Sequence, residues 1–123
     1  MDKAAWQKLT VANMVAVGTY KSSFDPAIDT LAEKGALRDT VRELFAASGG
    51  NVIVNHTNKA GATNIEQNPL LRMMNDLDRD LLAYWRDLGL TPAGLKRIDD
   101  QSMKPKKKSS LQEALTGLGG KAR

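Results

Sequence analysis

Residues 68–98 read NPLLRMMNDLDRDLLAYWRDLGLTPAGLKRI, and this stretch decides the fold. It opens with Asn68-Pro69, a typical helix start, because the amide side chain accepts hydrogen bonds from free backbone N–H groups and proline fits the first turn. Apolar residues then recur at spacings of 4, 3, 4, 3 and 4, at Leu70, Met74, Leu77, Leu81, Tyr84 and Leu88. The pattern predicts a long helix with a coiled-coil-like seam that ends at Gly89.

The rest of the chain predicts further helices around this one. Apolar periodicity predicts a first helix over 2–17, and Asp25-Pro26 signals a second helix over 26–34. Gly35 is expected to end that helix, and a third runs over 37–47. Residues 51–67 combine a β-branched strand at 52–54 with a polar stretch rich in Asn and Gly, which predicts a hairpin or an ordered loop. Thr91-Pro92 starts a last short helix through Ile98. The predicted fold is therefore mainly all-α.

The composition excludes several kinds of chemistry. The 123 residues predict one small domain with an appendage, and they contain no cysteine and one histidine, His56. Disulfides, thiolate or histidine-rich metal sites and a cysteine nucleophile are therefore excluded. The chain has no phosphate-binding loop and no His-Glu-x-x-His motif. Asp76, Asp78 and Asp80 alternate along a helix, so they diverge around its axis and cannot hold one metal ion. We expect a non-enzyme without cofactor or metal.

The net positive charge of the chain lies in its last 21 residues. Residues 1–48 are neutral, residues 49–102 carry −1, and residues 103–123 carry +5. We therefore divide the chain into a helical domain, 1–102, and a flexible basic tail, 103–123. A neutral body with a basic arm suggests nucleic acid as partner, although a solubilising terminus is the alternative. Phosphate contacts are expected from Lys104, Lys106, Lys107 and Lys108.

The tail also contains a short amphipathic segment. Ser110 and Glu113 form a capping-box pattern, and Leu111, Leu115 and Leu118 follow at i, i+4 and i+7. A helix this short is marginal alone, so we predict that these leucines dock on a partner; a frayed tail is the alternative. The chain shows neither a signal peptide nor an apolar run long enough to span a bilayer, so a cytosolic protein without membrane contact is expected.

The order of motifs in 68–98 resembles the bacteriophage terminase small subunit family. The resemblance rests on Asn68-Pro69-Leu70-Leu71, the leucine-rich helix, and then Leu88-Gly89-Leu90-Thr91-Pro92 followed by a basic turn with Lys96 and Arg97. The upstream layout over roughly residues 4–67 is similar in outline. The resemblance implies a non-catalytic subunit that forms homo-oligomeric rings, binds viral double-stranded DNA and recruits the large terminase subunit, which holds the ATPase and nuclease.

The resemblance also implies roles for particular residues. Lys96 and Arg97 join the four tail lysines as the predicted DNA-binding set, and Leu111, Leu115 and Leu118 become the predicted docking site for the large subunit. The apolar seam offers an oligomer interface, because so wide a face allows one side to pack in the chain's own core and the other against a neighbour. Packing of both sides within one chain is the alternative. The expected location is the host cytoplasm.

A different class of function stays open at this point. The predicted helices 26–34 and 37–47, with a turn at Gly35, have the layout of a helix-turn-helix. The second helix would present Arg38 and Arg42 to DNA, although Asp39 and Glu43 lie beside them. The alternative function is therefore a small helical transcription regulator or a nucleoid-type DNA-binding protein.

Overall fold

The computed structural model describes residues 1–102 and confirms a mainly helical fold with a small antiparallel hairpin. Helix α1 spans Lys3–Val17, α2 spans Asp25–Ala47, α3 spans Pro69–Asp87 and α4 spans Pro92–Ser102. A short 3-10 turn, Ser22–Phe24, precedes α2, and strands β1 (Ile53–Thr57) and β2 (Thr63–Gln67) lie between α2 and α3. No helix within residues 1–102 is both long and apolar enough to cross a membrane.

Helix α2 runs without a break, which corrects the prediction of two helices separated at Gly35. A Cβ on Gly35 would lie only 2.5 Å from Cδ2 of Trp6. The glycine therefore lets α1 approach α2 closely, and it does not end the helix. With the helix continuous, Val41 continues the buried face, whereas Leu37 and Leu44 are 48% and 53% exposed. The proposed helix-turn-helix is also wrong for this segment, because it has no turn.

The core lies between α1, α2 and α3. Its buried members come from all three helices and include Trp6, Met14, Leu31 and Leu81. The Trp6 and Trp85 rings stack with centroids 6.4 Å apart, which joins α1 to α3. The indole nitrogen of Trp6 donates to Asp39 at 2.9 Å, so its polar edge is satisfied as its ring becomes buried.

Of the two predicted alternatives, a hairpin or an ordered loop, the hairpin forms, and its strands extend beyond the β-branched run. The register pairs Ile53 with Gln67 and Thr57 with Thr63. Asn58 shapes the turn, because its side-chain oxygen accepts from the backbone N–H of Ala60 and of Ala62, both at 3.0 Å. Asn68 holds the other end of the hairpin, where the chain enters α3.

Buried Asn68 connects the hairpin to α3. Its side-chain oxygen accepts from the backbone N–H of Leu70 at 3.0 Å and so caps the helix, as its sequence predicts. Its side-chain amide donates to the Asn51 carbonyl at 2.9 Å, and its backbone N–H donates to the Val52 carbonyl at 2.8 Å. One buried side chain therefore sets both the start of α3 and the base of the hairpin.

Candidate nucleic-acid interface

The turn between α3 and α4 holds α4 in a fixed position. Gly89 has a φ of 76°, and the backbone N–H of Leu90 donates to the Trp85 carbonyl at 2.7 Å. Thr91 caps α4 by accepting from the backbone N–H of Gly94 at 3.1 Å. Gly94 is buried, and a Cβ there would collide with the Arg86 carbonyl oxygen. Only glycine, which has no Cβ, allows α4 to lie this close to the Arg86 backbone. The last glycine of the Gly-Leu-Thr-Pro-x-Gly pattern, Gly94, is therefore required for a steric reason.

Helix α4 carries two of the predicted DNA-binding residues. Lys96 and Arg97 are both exposed and form no ion pair with any residue of the described part of the chain. Asp99 and Asp100 also lie within α4, which continues to Ser102 and not just to Ile98. Because the two cations are offset by two carboxylates, α4 alone is not strongly basic.

The tail residues lie outside the described residues. Lys104, Lys106, Lys107 and Lys108 and the three leucines, Leu111, Leu115 and Leu118, remain predictions from sequence. The described chain ends at Ser102, two residues before the first of these lysines. The lysine run therefore follows directly on α4, the helix that presents Lys96 and Arg97.

The apolar seam of α3 divides into two sets. Leu77, Leu81 and Leu88 are 8%, 0% and 6% exposed, so the chain's own fold covers them. The other three are only partly buried, and their interface role stays a prediction: Leu70, Met74 and Tyr84. The fold uses the middle and C-terminal end of the seam within one chain, because α1 and α2 pack there.

Ion pairs connect α2 to α3. Lys34 contacts Asp80 at 3.0 Å, and Arg38 contacts Asp78. Two of the three alternating aspartates therefore serve the packing of two helices, and no cluster of potential metal ligands occurs in residues 1–102. The helix-turn-helix alternative would place Arg38 in a DNA groove, but Arg38 contacts the Asp78 carboxylate instead. Sequence spacing on one helix did not reveal these pairs, because each joins residues 40 or more positions apart.

Asp39 is the carboxylate with a shifted pKa in the described chain. Burial would raise its pKa, but hydrogen bonds from the Met1 amino group and the Trp6 indole, both 2.9 Å from its Oδ2, hold the pKa below its ordinary 3.8. The same contact raises the pKa of the amino group above 8.0. This arrangement is structural: it ties the start of α1 to α2 at the edge of the core.

The hairpin exposes side chains to which the sequence patterns assigned no role. Nine of its ten strand residues are exposed, and only Val54 is partly buried. Ile65 is 74% exposed, the most exposed large apolar side chain in residues 1–102. The strands read IVNHT and TNIEQ, and neither alternates apolar with polar residues, so the sequence carried no clear signal for a difference between the two faces.

Comparison with known protein families gives a match over most of the chain. The family described as the phage terminase small subunit matches residues 3–105, which is most of the chain and contains all four described helices and the hairpin. The match confirms the resemblance predicted from residues 68–98. No curated protein and no solved structure gives a significant match.

Proposed function

The chain belongs to the phage terminase small subunit family, and on that premise we propose that it binds viral double-stranded DNA and recruits the large terminase subunit during genome packaging. The family match over residues 3–105 is the observation that carries the proposal. The small subunit of a terminase is the non-catalytic one, so the expected role is regulation of the large subunit and not chemistry of its own. The host cytoplasm is the compartment in which such packaging would take place.

The proposed DNA contacts come from α4 and the tail that follows it. Lys96 and Arg97 are exposed on a helix held by the close approach of Gly94 to Arg86. The lysine run begins two residues after that helix ends. Lysine ammonium groups contact phosphates without reading bases, so the five lysines of this set would supply affinity and not sequence recognition.

Salt dependence of DNA binding tests this proposal. If Lys104, Lys106, Lys107 and Lys108 each neutralise one phosphate, they account for a slope of about −3.6 in log K against log salt, at roughly 0.9 per phosphate. Replacing all four with Gln keeps the chain length and is expected to flatten the slope by that amount. Fluorescence anisotropy of a labelled 30-base-pair duplex between about 50 and 200 mM salt measures it.

A matched control separates local contacts from net charge. Within residues 1–102, the exposed cations that form no ion pair include these four: Lys8, Lys21, Arg42 and Arg72. Their replacement with Gln removes the same charge and is expected to change the slope little. Equal flattening by both quadruple variants would mean that overall charge governs binding, and an unchanged slope in the tail variant would place the DNA site on the body.

We further propose that the chain forms a homo-oligomeric ring through the accessible part of the seam. Leu70, Met74 and Tyr84 are partly exposed along α3. Met74→Asp is expected to convert the ring to monomers, because a carboxylate buried between subunits without a partner is strongly unfavourable. Leu82→Asp, on the same helix but off the seam and at a residue 57% exposed, is the control.

Native mass spectrometry at micromolar concentration gives the result directly. A monomeric wild-type chain would contradict the ring. A ring that survives Met74→Asp but is lost in Leu82→Asp would move the interface to the other flank of α3.

The proposed contact with the large subunit lies in the tail. Leu111, Leu115 and Leu118 recur on one face of a helix pattern, as in segments that bind in an apolar groove. Replacing the three with Ala is expected to abolish capture of the large subunit, whereas Ala at Gln112 and Thr116, on the polar side, is expected to preserve it. Retained capture by the triple leucine variant would refute this contact.

A further inference from the structure

The hairpin has two chemically different faces. Residues directly opposite in an antiparallel pair share a face, and alternate residues point to opposite faces. One face carries Val54, His56, Asn64 and Glu66, and Val54 is the one strand residue that is partly buried. The other face, which we call the open face, carries Ile53, Asn55, Thr57, Thr63, Ile65 and Gln67.

The open face has no charged group, and every side chain on it is exposed. Thr57 and Thr63 hydrogen-bond to each other at 3.2 Å, so these two are already paired. Asn55 and Gln67 make no side-chain hydrogen bond with any described residue. The open face therefore offers two free amides beside two exposed isoleucines, which are 60% and 74% exposed.

We propose that the open face contacts base edges in the major groove of the DNA that the chain binds, an inference that rests on the proposed function. The major groove, about 12 Å wide, admits a two-stranded ribbon. Asn and Gln amides pair with the adenine edge there, and apolar side chains contact the thymine methyl group. Such contacts need polar and apolar groups without carboxylates, which is the composition of the open face.

The turn and base of the hairpin suit this role. Lys59 lies exposed in the turn that the Asn58 side chain shapes, where it can contact a phosphate at the groove edge. The base is held by the buried side chain of Asn68 against α3. A ribbon anchored at one end and open over its length is positioned by the helices and free to enter a groove.

A second copy of the chain is the less favoured occupant. A stable protein–protein interface buries about 1,200–2,000 Å² in total. A face two strands wide and about 17 Å long supplies far less than that, with only two apolar side chains. In this proposal the lysines of the tail supply affinity for phosphate, and the open face of the hairpin discriminates among bases.

The test compares variants of the two faces in the full chain. Duplexes with a random 20-base-pair centre are selected with the wild-type chain, and the ratio of Kd values for the unselected pool and an enriched duplex is measured. Asn55→Ala with Ile65→Ala is expected to lower this ratio at least tenfold and to leave the salt slope unchanged, because no charge is removed. His56→Ala with Asn64→Ala, on the other face, is the matched control and is expected to keep the ratio. Circular dichroism confirms folding of both variants.

Each outcome decides between the proposals. A wild-type chain that binds no duplex overturns the proposed function and this inference with it. A chain that binds duplex, but whose open-face variant keeps the ratio, overturns this inference alone. If that variant keeps the ratio and changes the oligomeric state in native mass spectrometry, the open face contacts another subunit instead. Replacement of adenine by 7-deazaadenine in the enriched duplex removes the N7 acceptor of the major groove. Weaker binding of the wild-type chain to that duplex, without a matching loss in the open-face variant, supports the major-groove contact.

Discussion

Gly35→Ala is the substitution that tests the packing of this fold most directly. At an exposed helical position the change would stabilise the protein by about 1 kcal/mol, because alanine is the better helix former. Here the new Cβ would lie 2.5–2.8 Å from three ring atoms of Trp6, closer than carbon atoms approach. The ring has little freedom to move, since it is 8% exposed, stacks on Trp85 and donates to Asp39.

The magnitude follows from these contacts. Overpacking costs about 1–3 kcal/mol, and a displaced indole loses a hydrogen bond to a charged acceptor worth at least about 1.5 kcal/mol. After the gain in helix propensity, we expect a net loss of about 2–3 kcal/mol in the free energy of unfolding. For a domain of this size that lowers Tm by roughly 10–20 °C. Urea denaturation followed by circular dichroism measures the first quantity, and a thermal melt the second.

The same substitution in a Trp6→Leu chain shows whether the indole ring is the cause of the lost stability. In a Trp6→Leu chain the obstructing ring is absent, so Gly35→Ala is expected to become neutral or stabilising by up to about 1 kcal/mol. Stabilisation of the wild-type chain by Gly35→Ala would refute the reasoning, because α1 would then not approach α2 at this position.

Three further predictions concern Asn68, Asp39 and the ion pair of Lys34 with Asp80. Asn68→Ala removes a helix cap and the anchor of the hairpin, so we expect the free energy of unfolding from thermal melts to fall by about 2–3 kcal/mol. Asn75→Ala, at an exposed position, is expected to change it by less than about 0.5 kcal/mol, and equal effects would contradict the double role of Asn68. Because the pKa of Asp39 is lowered in the folded chain, its carboxylate stabilises the fold above pH ~4, near its ordinary 3.8, and this stabilisation is lost as the pH falls through the lowered value. Asp39→Asn should therefore be less stable than wild type in urea at neutral pH, with a difference that shrinks below pH ~4; a constant difference would argue against the ion pair. A double-mutant cycle on Lys34 and Asp80 is expected to give under about 1 kcal/mol, since both are partly exposed, and a larger coupling would show that this pair is more desolvated than its exposure indicates.

Local signals predicted the element types well. Asn68-Pro69 starts α3 and Thr91 caps α4, as expected, because both depend on side chains that bind backbone groups two or three residues away. A short β-branched run and a stretch rich in Asn and Gly predicted either a hairpin or an ordered loop, and the structure has the hairpin. The prediction that Gly35 ends a helix was wrong, because a glycine that ends a helix and one that admits a neighbouring ring look alike in a single sequence.

The candidate site was predictable only in part. Lys96 and Arg97 are exposed, as a charged pair on a short helix should be, but the seam of α3 did not show which of its residues the chain covers by itself. That depends on where α1 and α2 lie. Leu81 is fully buried, whereas Met74, two turns earlier, is only partly buried.

The sequence by itself determined the helical class, the starts of the helices at Asp25-Pro26, Asn68-Pro69 and Thr91-Pro92, the confinement of positive charge to residues 103–123, and the family. Each of these properties depends on residues that are neighbours in the chain, or on the summed charge or composition of a segment. Only the tertiary structure decided that α2 is one helix, that Lys34 and Arg38 contact carboxylates of α3, and that the hairpin leaves one uncharged face open. The physical reason is the same in each case: the deciding contact joins residues far apart in the chain, and no local pattern specifies which distant side chain will fill the space.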